Sequence, residues 1–252
     1  MAGNMIIDAH THIDNATAWG WIDPPEVLLP LLDEAGIDRA VVMTYRDAQS
    51  PDDPAITYVR EAMAHYPQRL IGFVRINPNA PQAMDALDYA LGDAGFKGLK
   101  LHPVSSVCFP YGEATLKLMR RAAAYHAPVL FHTGDEMLAL PEEVAEAARL
   151  CPEATVIMAH MGGYQHDQAL LKAALEIPNV MVDTSASPYP WMIRRLVETI
   201  GAGRVLYASD GPGCLPALEV EKVRLANLLP EDEKLVFSGN ILRLLEAMHH
   251  DI

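Results

Sequence analysis

Met5-Ile6-Ile7-Asp8-Ala9-His10-Thr11-His12 is the run that decides how this chain is read. Its apolar opening predicts a strand over Met5–His10. Side chains two apart on a strand point to the same side. His10 and His12 can therefore converge just past the strand end, where two neutral imidazoles suit a divalent metal such as zinc. Four later apolar runs also end in histidine or aspartate, so the pattern recurs along the chain.

Working outward, Arg39–Thr44, Leu70–Ile76, the stretch Gly95–Pro103, Pro128–His132, Thr155–His160, Val180–Thr184 and Arg204–Asp210 supply further strands. Continuous apolar runs such as Ala40-Val41-Val42-Met43 mark strands buried on both faces. Helical spacing fills the intervals, over Glu26–Ala35, Asp52–Tyr66, Ala80–Ala94, Glu113–His126, Pro141–Leu150, His166–Glu176 and Pro190–Ile200. Ala217–Leu229 and Asn240–His249 add two helices at the end. Pro24-Pro25 opens the first helix and Gly36 closes it. Eight strands alternating with helices in 252 residues predict an α/β fold, a single (β/α)8 TIM barrel with one domain over residues 1–252. An open doubly wound sheet is the alternative, but its crevice would not gather the ends of strands one, five, six and eight. No Gly-x-Gly-x-x-Gly follows the first strand, so dinucleotide binding lacks support.

The net charge of −14 argues against a nucleic-acid backbone or an anionic membrane as partner. It leaves small anionic substrates open, because a metal and local cations dominate the field inside a pocket. Cys108, Cys151 and Cys214 are far apart and in no Cys-x-x-Cys arrangement, which predicts a reducing compartment and no disulfide framework. With no membrane-length apolar run and no basic start before an apolar segment, the expected location is the cytoplasm.

On a barrel, His10, His12, His132, His160 and Asp210 all fall at the C-terminal strand ends, where barrel enzymes build their sites. Lys100 and His102 share one face of strand four, placing both as substrate-binding candidates. Lys100 is read as an anion-binding group or as the partner of an acid such as Asp8 or Asp210, in preference to a carboxylated bridge between two metals. Arg46, just past strand two, is a candidate to grip a substrate carboxylate through its planar fork. Trp19 and Trp21 sit in a loop that lines a pocket mouth or packs over the barrel end.

Ile7-Asp8-Ala9-His10-Thr11-His12, Gly98-Leu99-Lys100-Leu101-His102-Pro103, Phe131-His132-Thr133-Gly134, Ala159-His160-Met161-Gly162-Gly163, Ser209-Asp210 and the closing Gly239-Asn240-Ile241-Leu242-Arg243-Leu244-Leu245 occur in that order. In this combination the chain resembles the amidohydrolase superfamily, specifically the amidohydrolase-related branch of metal-dependent barrel hydrolases and decarboxylases. The resemblance implies that His10, His12, His132 and Asp210 ligate one divalent metal, most often zinc, with manganese as the other choice. It implies that His160 is an acid/base or supporting residue, or a ligand of a second metal, which is not the favoured arrangement. A homodimer is also a family-level expectation.

These parts suit hydrolysis of an ester, lactone or amide of a small carboxylate-bearing molecule. A metal lowers the pKa of bound water toward about 7, Asp210 accepts its proton and His160 returns one to the leaving group. The alternative is nonoxidative decarboxylation of an unsaturated or aromatic acid, in which a histidine or aspartate protonates the carbon that loses carbon dioxide. Short loops tilt the expectation toward hydrolysis, since the resembled decarboxylases carry longer insertions. A non-catalytic barrel with a structural or lost metal is the third reading.

Overall fold

The computed structural model describes residues 5–16 and 20–248. Trp19, the side chain of Trp21, His249 and His250 lie outside them. Eight barrel strands follow in order: β1 Ile7–His12, β2 Arg39–Met43, β3 in two pieces (Leu70–Gly72 and Val74–Arg75), β4 Leu99–Leu101, β5 Val129–Phe131, β6 Val156–Met158, β7 Val180–Asp183 and β8 Val205–Leu206. Each pairs in parallel with the next. Closure of β8 on β1 comes from Ala9 N–H to Tyr207 O at 3.0 Å, His12 N–H to Gly211 O at 2.7 Å and Asp210 N–H to His10 O at 2.8 Å. The (β/α)8 barrel expected from the alternation is the fold observed.

The two-residue period of the strands divides them between two cores. Ile7, Val41, Ile71, Phe73, Leu130, Ile157, Met181 and Leu206 point inward and fill the barrel. Leu99, Leu101, Val129, Phe131, Val156 and Val180 point outward against the helices. Several inward rows, continued toward the mouth, reach a polar side chain there: Phe73 leads to Arg75, Leu130 to His132, Met181 to Asp183, and Leu206 through Ala208 to Asp210. In β1 a register shift between Asp8 and Thr11 changes the phase. That bulge turns His10 and His12 toward the mouth, while Thr11 bonds Val41 O at 2.7 Å.

Proline opens many of the outer helices, including Pro25–Ala35, Pro54–His65, Pro141–Leu150, Pro190–Ile200 and Pro216–Leu225. Its missing N–H costs nothing at a first turn, where that donor has no intrahelical partner. The structure departs from the sequence reading at several points. Residues 13–23, expected as loop, contain a hairpin of Asp14–Ala16 against Trp21–Asp23. The helix expected over Ala80–Ala94 is α-helical only over Ala83–Asp88 and continues as a π-turn over Tyr89–Asp93. The β6 run ends in a 3-10 turn, Ala159–Gly162, with His160 at φ 63° and Met161 at φ 49°.

Phe73 lies between the two pieces of β3 with its ring in the barrel interior, and Gly98 makes room for it. A Cβ at Gly98 would sit 2.5 Å from the Phe73 ring. Gly98→Ala is expected to destabilise the barrel by about 1–3 kcal/mol through overpacking, read as a lower urea midpoint with an unchanged slope.

Candidate metal centre and active site

The site is built from the mouth-facing ends of the inward rows. His10 is fully buried and its Nδ1 lies 3.0 Å from Asp183 Oδ2. Oδ1 of the same aspartate accepts the backbone N–H of His160 at 2.9 Å, the backbone N–H of Ser185 at 3.0 Å and the Ser185 hydroxyl at 2.6 Å. Ser185 Oγ in turn lies 2.9 Å from His160 Nδ1. Burial pushes the Asp183 carboxyl up, but the His10 hydrogen bond, the two imidazoles and Ser185 together hold it below the usual carboxylate range.

These contacts fix two tautomers. An ionised Asp183 only accepts, so His10 carries its proton on Nδ1 and leaves a lone pair on Nε2. The Ser185 hydroxyl gives its proton to Asp183 and therefore accepts from His160 Nδ1–H, which leaves the His160 lone pair on Nε2, facing His132 Nδ1 at 3.1 Å. His10, His160 and Asp210 bring ligand atoms within 4.8 Å of one another. Two oriented imidazole lone pairs and one carboxylate form a donor set that fits one divalent cation, and an aspartate behind a ligating histidine is the usual support for such a site.

Around this cluster the remaining residues take separate places. His12 Nε2 lies 3.1 Å from Asp210 Oδ1, and its ring stacks on Tyr45 with centroids 4.5 Å apart. Burial lowers the His12 pKa to about 4, so it is neutral. Its buried Nδ1 has no partner among the described residues. His132 reaches the cluster through His160, Nδ1 to Nε2, at 3.1 Å. Asp210 sits at φ 63° with its side chain 27 % exposed. Burial opposes its charge, but the His12 hydrogen bond and the imidazoles of His10, His160 and His12 outweigh burial and hold it well below the carboxylate range.

Lys100 points into the barrel between the outward Leu99 and Leu101. Its Nζ is 2.8 Å from His10 Nε2, and burial brings its pKa down to about 7 against the pull of Asp210. Asp8, the other acid considered for it, instead accepts from the backbone N–H groups of Ser209 and His10. His102 Nδ1 accepts the Ser105 N–H at 3.3 Å, and its ring stacks on His132 with centroids 4.0 Å apart. The structure does not bring Arg46 to the cluster. Its guanidinium is held by Asp14 and Asn15, both at 2.9 Å, and lines a neighbouring cavity. Arg75 lines the cavity at the cluster in its place. That cavity, of about 400 Å³, is walled by the cluster with Tyr45, Arg75 and Lys100.

Asp183, Ser185 and Arg75 had no assigned role in the sequence reading. The signal for Asp183 and Arg75 was their position at strand C-termini, which marks function in a barrel. For Ser185 no sequence signal exists, because its role depends on the turn after β7. That turn is clamped from the helix Pro216–Leu225. Lys222 is buried and donates to Thr184 O at 2.6 Å, to Ser187 O at 2.8 Å and to Glu219. Lys222→Met takes the cation from that buried carboxylate and a donor from each of two carbonyls, and is expected to cost about 3–5 kcal/mol, measured by urea denaturation.

The fold and site together define a parallel barrel whose mouth carries a histidine–aspartate cluster able to hold a metal ion. The chain belongs to the amidohydrolase family, whose family model matches residues 7–247. No curated protein matches it at the sequence level. Among solved structures it is similar to 5-carboxyvanillate decarboxylase from Sphingomonas paucimobilis, with a TM-score of 0.76, 13 % identity and coverage of 97 % of this chain and 99 % of that one. It is similar to dihydroxybenzoic acid decarboxylase from Polaromonas sp. with bound manganese and the inhibitor 2-nitroresorcinol (TM-score 0.76, 17 % identity, 97 % of both chains). An uncharacterised TIM-barrel protein from Bordetella bronchiseptica matches with a TM-score of 0.78 and 18 % identity, over 97 % of this chain and 99 % of that one.

These neighbours overturn hydrolysis of an ester, lactone or amide as the first reading, since those with a stated reaction here are decarboxylases. Among the described residues no helix is long and apolar enough to cross a membrane.

Proposed function

We propose that this protein is a nonoxidative, divalent-metal-dependent decarboxylase of a small aromatic or unsaturated acid, working from one barrel domain in the cytoplasm. The observation that carries the proposal is the pair of Nε2 lone pairs, on His10 and His160, set by Asp183 and converging with Asp210 on one wall of the cavity. The likeness to decarboxylases that share this barrel supports the choice of reaction. Manganese is preferred over zinc because the Polaromonas neighbour holds it.

His10, His160 and Asp210 would hold the cation, with His12 and His132 next to them. When bound, it supplies positive charge that anchors the substrate's oxygen atoms and steadies the electron pair left on carbon. The carbon–carbon bond to the carboxylate breaks, its electrons remain on the substrate carbon, carbon dioxide leaves, and a proton forms the new carbon–hydrogen bond. Asp210 is the proposed proton carrier: ionised at rest, it takes a proton from water in the cavity and passes it to the substrate carbon, being the carboxylate of the cluster with access to the cavity. His160 is held by Ser185 and by Asp183 through its backbone, which suits it to orient the cluster. Lys100 adds a cationic wall for the acid.

The test is carbon dioxide release from a panel of hydroxybenzoates and unsaturated acids by manganese-loaded protein. Release that a chelator abolishes and manganese restores is expected. Metal-loaded, folded protein that releases none from any acid of the panel would refute the proposal.

A further inference from the structure

Beside the reaction cavity lies a second one of about 600 Å³, and Tyr45, Arg75 and His102 line both. Arg75 is the notable residue of that shared wall. It is only 5 % exposed, and its Nε donates to Asp47 Oδ1 at 2.6 Å. Asp47 is fixed from its other oxygen by the hydroxyls of Ser105 at 2.8 Å and Ser106 at 2.9 Å. Neither Nη atom of Arg75 has a protein partner among the described residues. A buried guanidinium with an unmatched pair of Nη groups presents a fork that fits a carboxylate through two parallel hydrogen bonds.

Its placement is set by the sheet. Arg75 is the register partner of Lys100 on the adjacent strand, and it follows Ile71 and Phe73 on the inward row. Lys100 from that same level touches His10 of the cluster. Arg75 therefore stands one strand from Lys100 around the barrel, with neighbouring strands about 4.8 Å apart. His102, on the same wall, has its Nδ1 occupied by the Ser105 N–H, so its proton is on Nε2 and adds a donor. The surplus on this wall is of N–H donors, which calls for a ligand rich in acceptor oxygens.

We propose that Arg75 binds a second, non-reacting carboxylate of the substrate, so that the enzyme takes aromatic or unsaturated dicarboxylic acids whose far end enters the adjoining cavity. This rests on the histidine–aspartate cluster being the reaction site. The carboxylate on Arg75 is the non-reacting one because the reacting group loses its charge as carbon dioxide departs. A bidentate cation on it would bind the ground state better than the transition state and oppose the reaction. A grip on a remote carboxylate is equal in both states and serves binding.

The experiment measures dissociation constants of benzoate, isophthalate and terephthalate for the manganese-loaded protein by titration calorimetry or ligand-observed NMR. At least one dicarboxylate is expected to bind about tenfold tighter than benzoate, the scale of a charge-assisted hydrogen-bond pair. Arg75→Met is expected to bring the dicarboxylates down to the affinity of benzoate, and Arg75→Lys, which keeps charge without the fork, to retain part of the gap. Equal binding of all three acids by the wild type overturns the proposal, as does a gap that survives in Arg75→Met. Should Arg75→Met fail to fold, an undiminished gap in Arg75→Lys overturns it as well. Carbon dioxide release is followed separately on the same samples. A dicarboxylate preference without any release leaves the Arg75 site standing and removes the decarboxylase reading, and release without the preference does the reverse.

Discussion

Asp183→Asn is expected to weaken manganese binding about 10- to 100-fold while the barrel stays folded. The native carboxylate accepts four hydrogen bonds, one at Oδ2 and three at Oδ1. An amide of the same shape replaces one acceptor with a donor. If its NH2 faces His10, the imidazole must turn Nδ1 into the acceptor and carry its proton on Nε2, which removes the lone pair from the cluster. If the NH2 faces Ser185 and His160 instead, three donors meet a donor and the order of the β7 turn is lost. Either placement damages a ligand that Asp183 never touches through the metal itself, by the same tautomer logic that governs a buried aspartate behind a catalytic histidine. Calorimetric titration with manganese, paired with circular dichroism on the same sample, measures it. Wild-type affinity in a folded variant would show that the two imidazoles are oriented by something other than Asp183.

Asp210→Asn is expected to lower the rate of carbon dioxide release by about 10²- to 10⁴-fold, the range for loss of a positioned proton carrier. The substitution is chosen for its backbone. Asp210 sits at φ 63°, a left-handed conformation that asparagine tolerates better than most residues. The turn and the Asp210 N–H bond to His10 O at 2.8 Å should therefore persist, leaving the melting temperature close to that of the wild type. What is lost is the negative charge and the acid that exchanges the proton. Single-turnover release with manganese saturating separates the rate from metal affinity. A folded, metal-loaded Asp210→Asn protein that turns over at the wild-type rate would remove Asp210 from the chemistry.

The barrel was legible because parallel strands buried on both faces leave a strong mark. Ala40-Val41-Val42-Met43 and Val129-Leu130-Phe131 have no polar face to confuse them. The five histidine and aspartate positions at strand ends were legible for the same reason, since an apolar run ending in one of them can only deliver it to the mouth. Which of them converge was not legible. That depends on the β1 bulge, on the left-handed turn at His160 and on Ser185 relaying Asp183 to an imidazole, none of which has a periodic signature. Arg46 shows the limit of reading a cation from position alone. The hairpin over residues 14–23 carries Asp14 and Asn15 onto it, a pairing across more than thirty residues that periodicity does not encode. Arg75 went unassigned because the phase of β3 becomes clear only once Phe73 is seen inside the barrel.

The most direct test of the reaction is to incubate manganese-loaded protein in heavy water with hydroxybenzoates labelled at the carboxyl carbon, then remove the metal with chelator and follow the products by NMR. The predicted result is loss of the labelled carboxyl signal to dissolved carbon dioxide and bicarbonate, with one deuterium on the vacated ring carbon. Intact labelled substrates after prolonged incubation with folded, metal-loaded protein, across the panel and its unsaturated and dicarboxylic members, would contradict the assignment of this barrel as a decarboxylase.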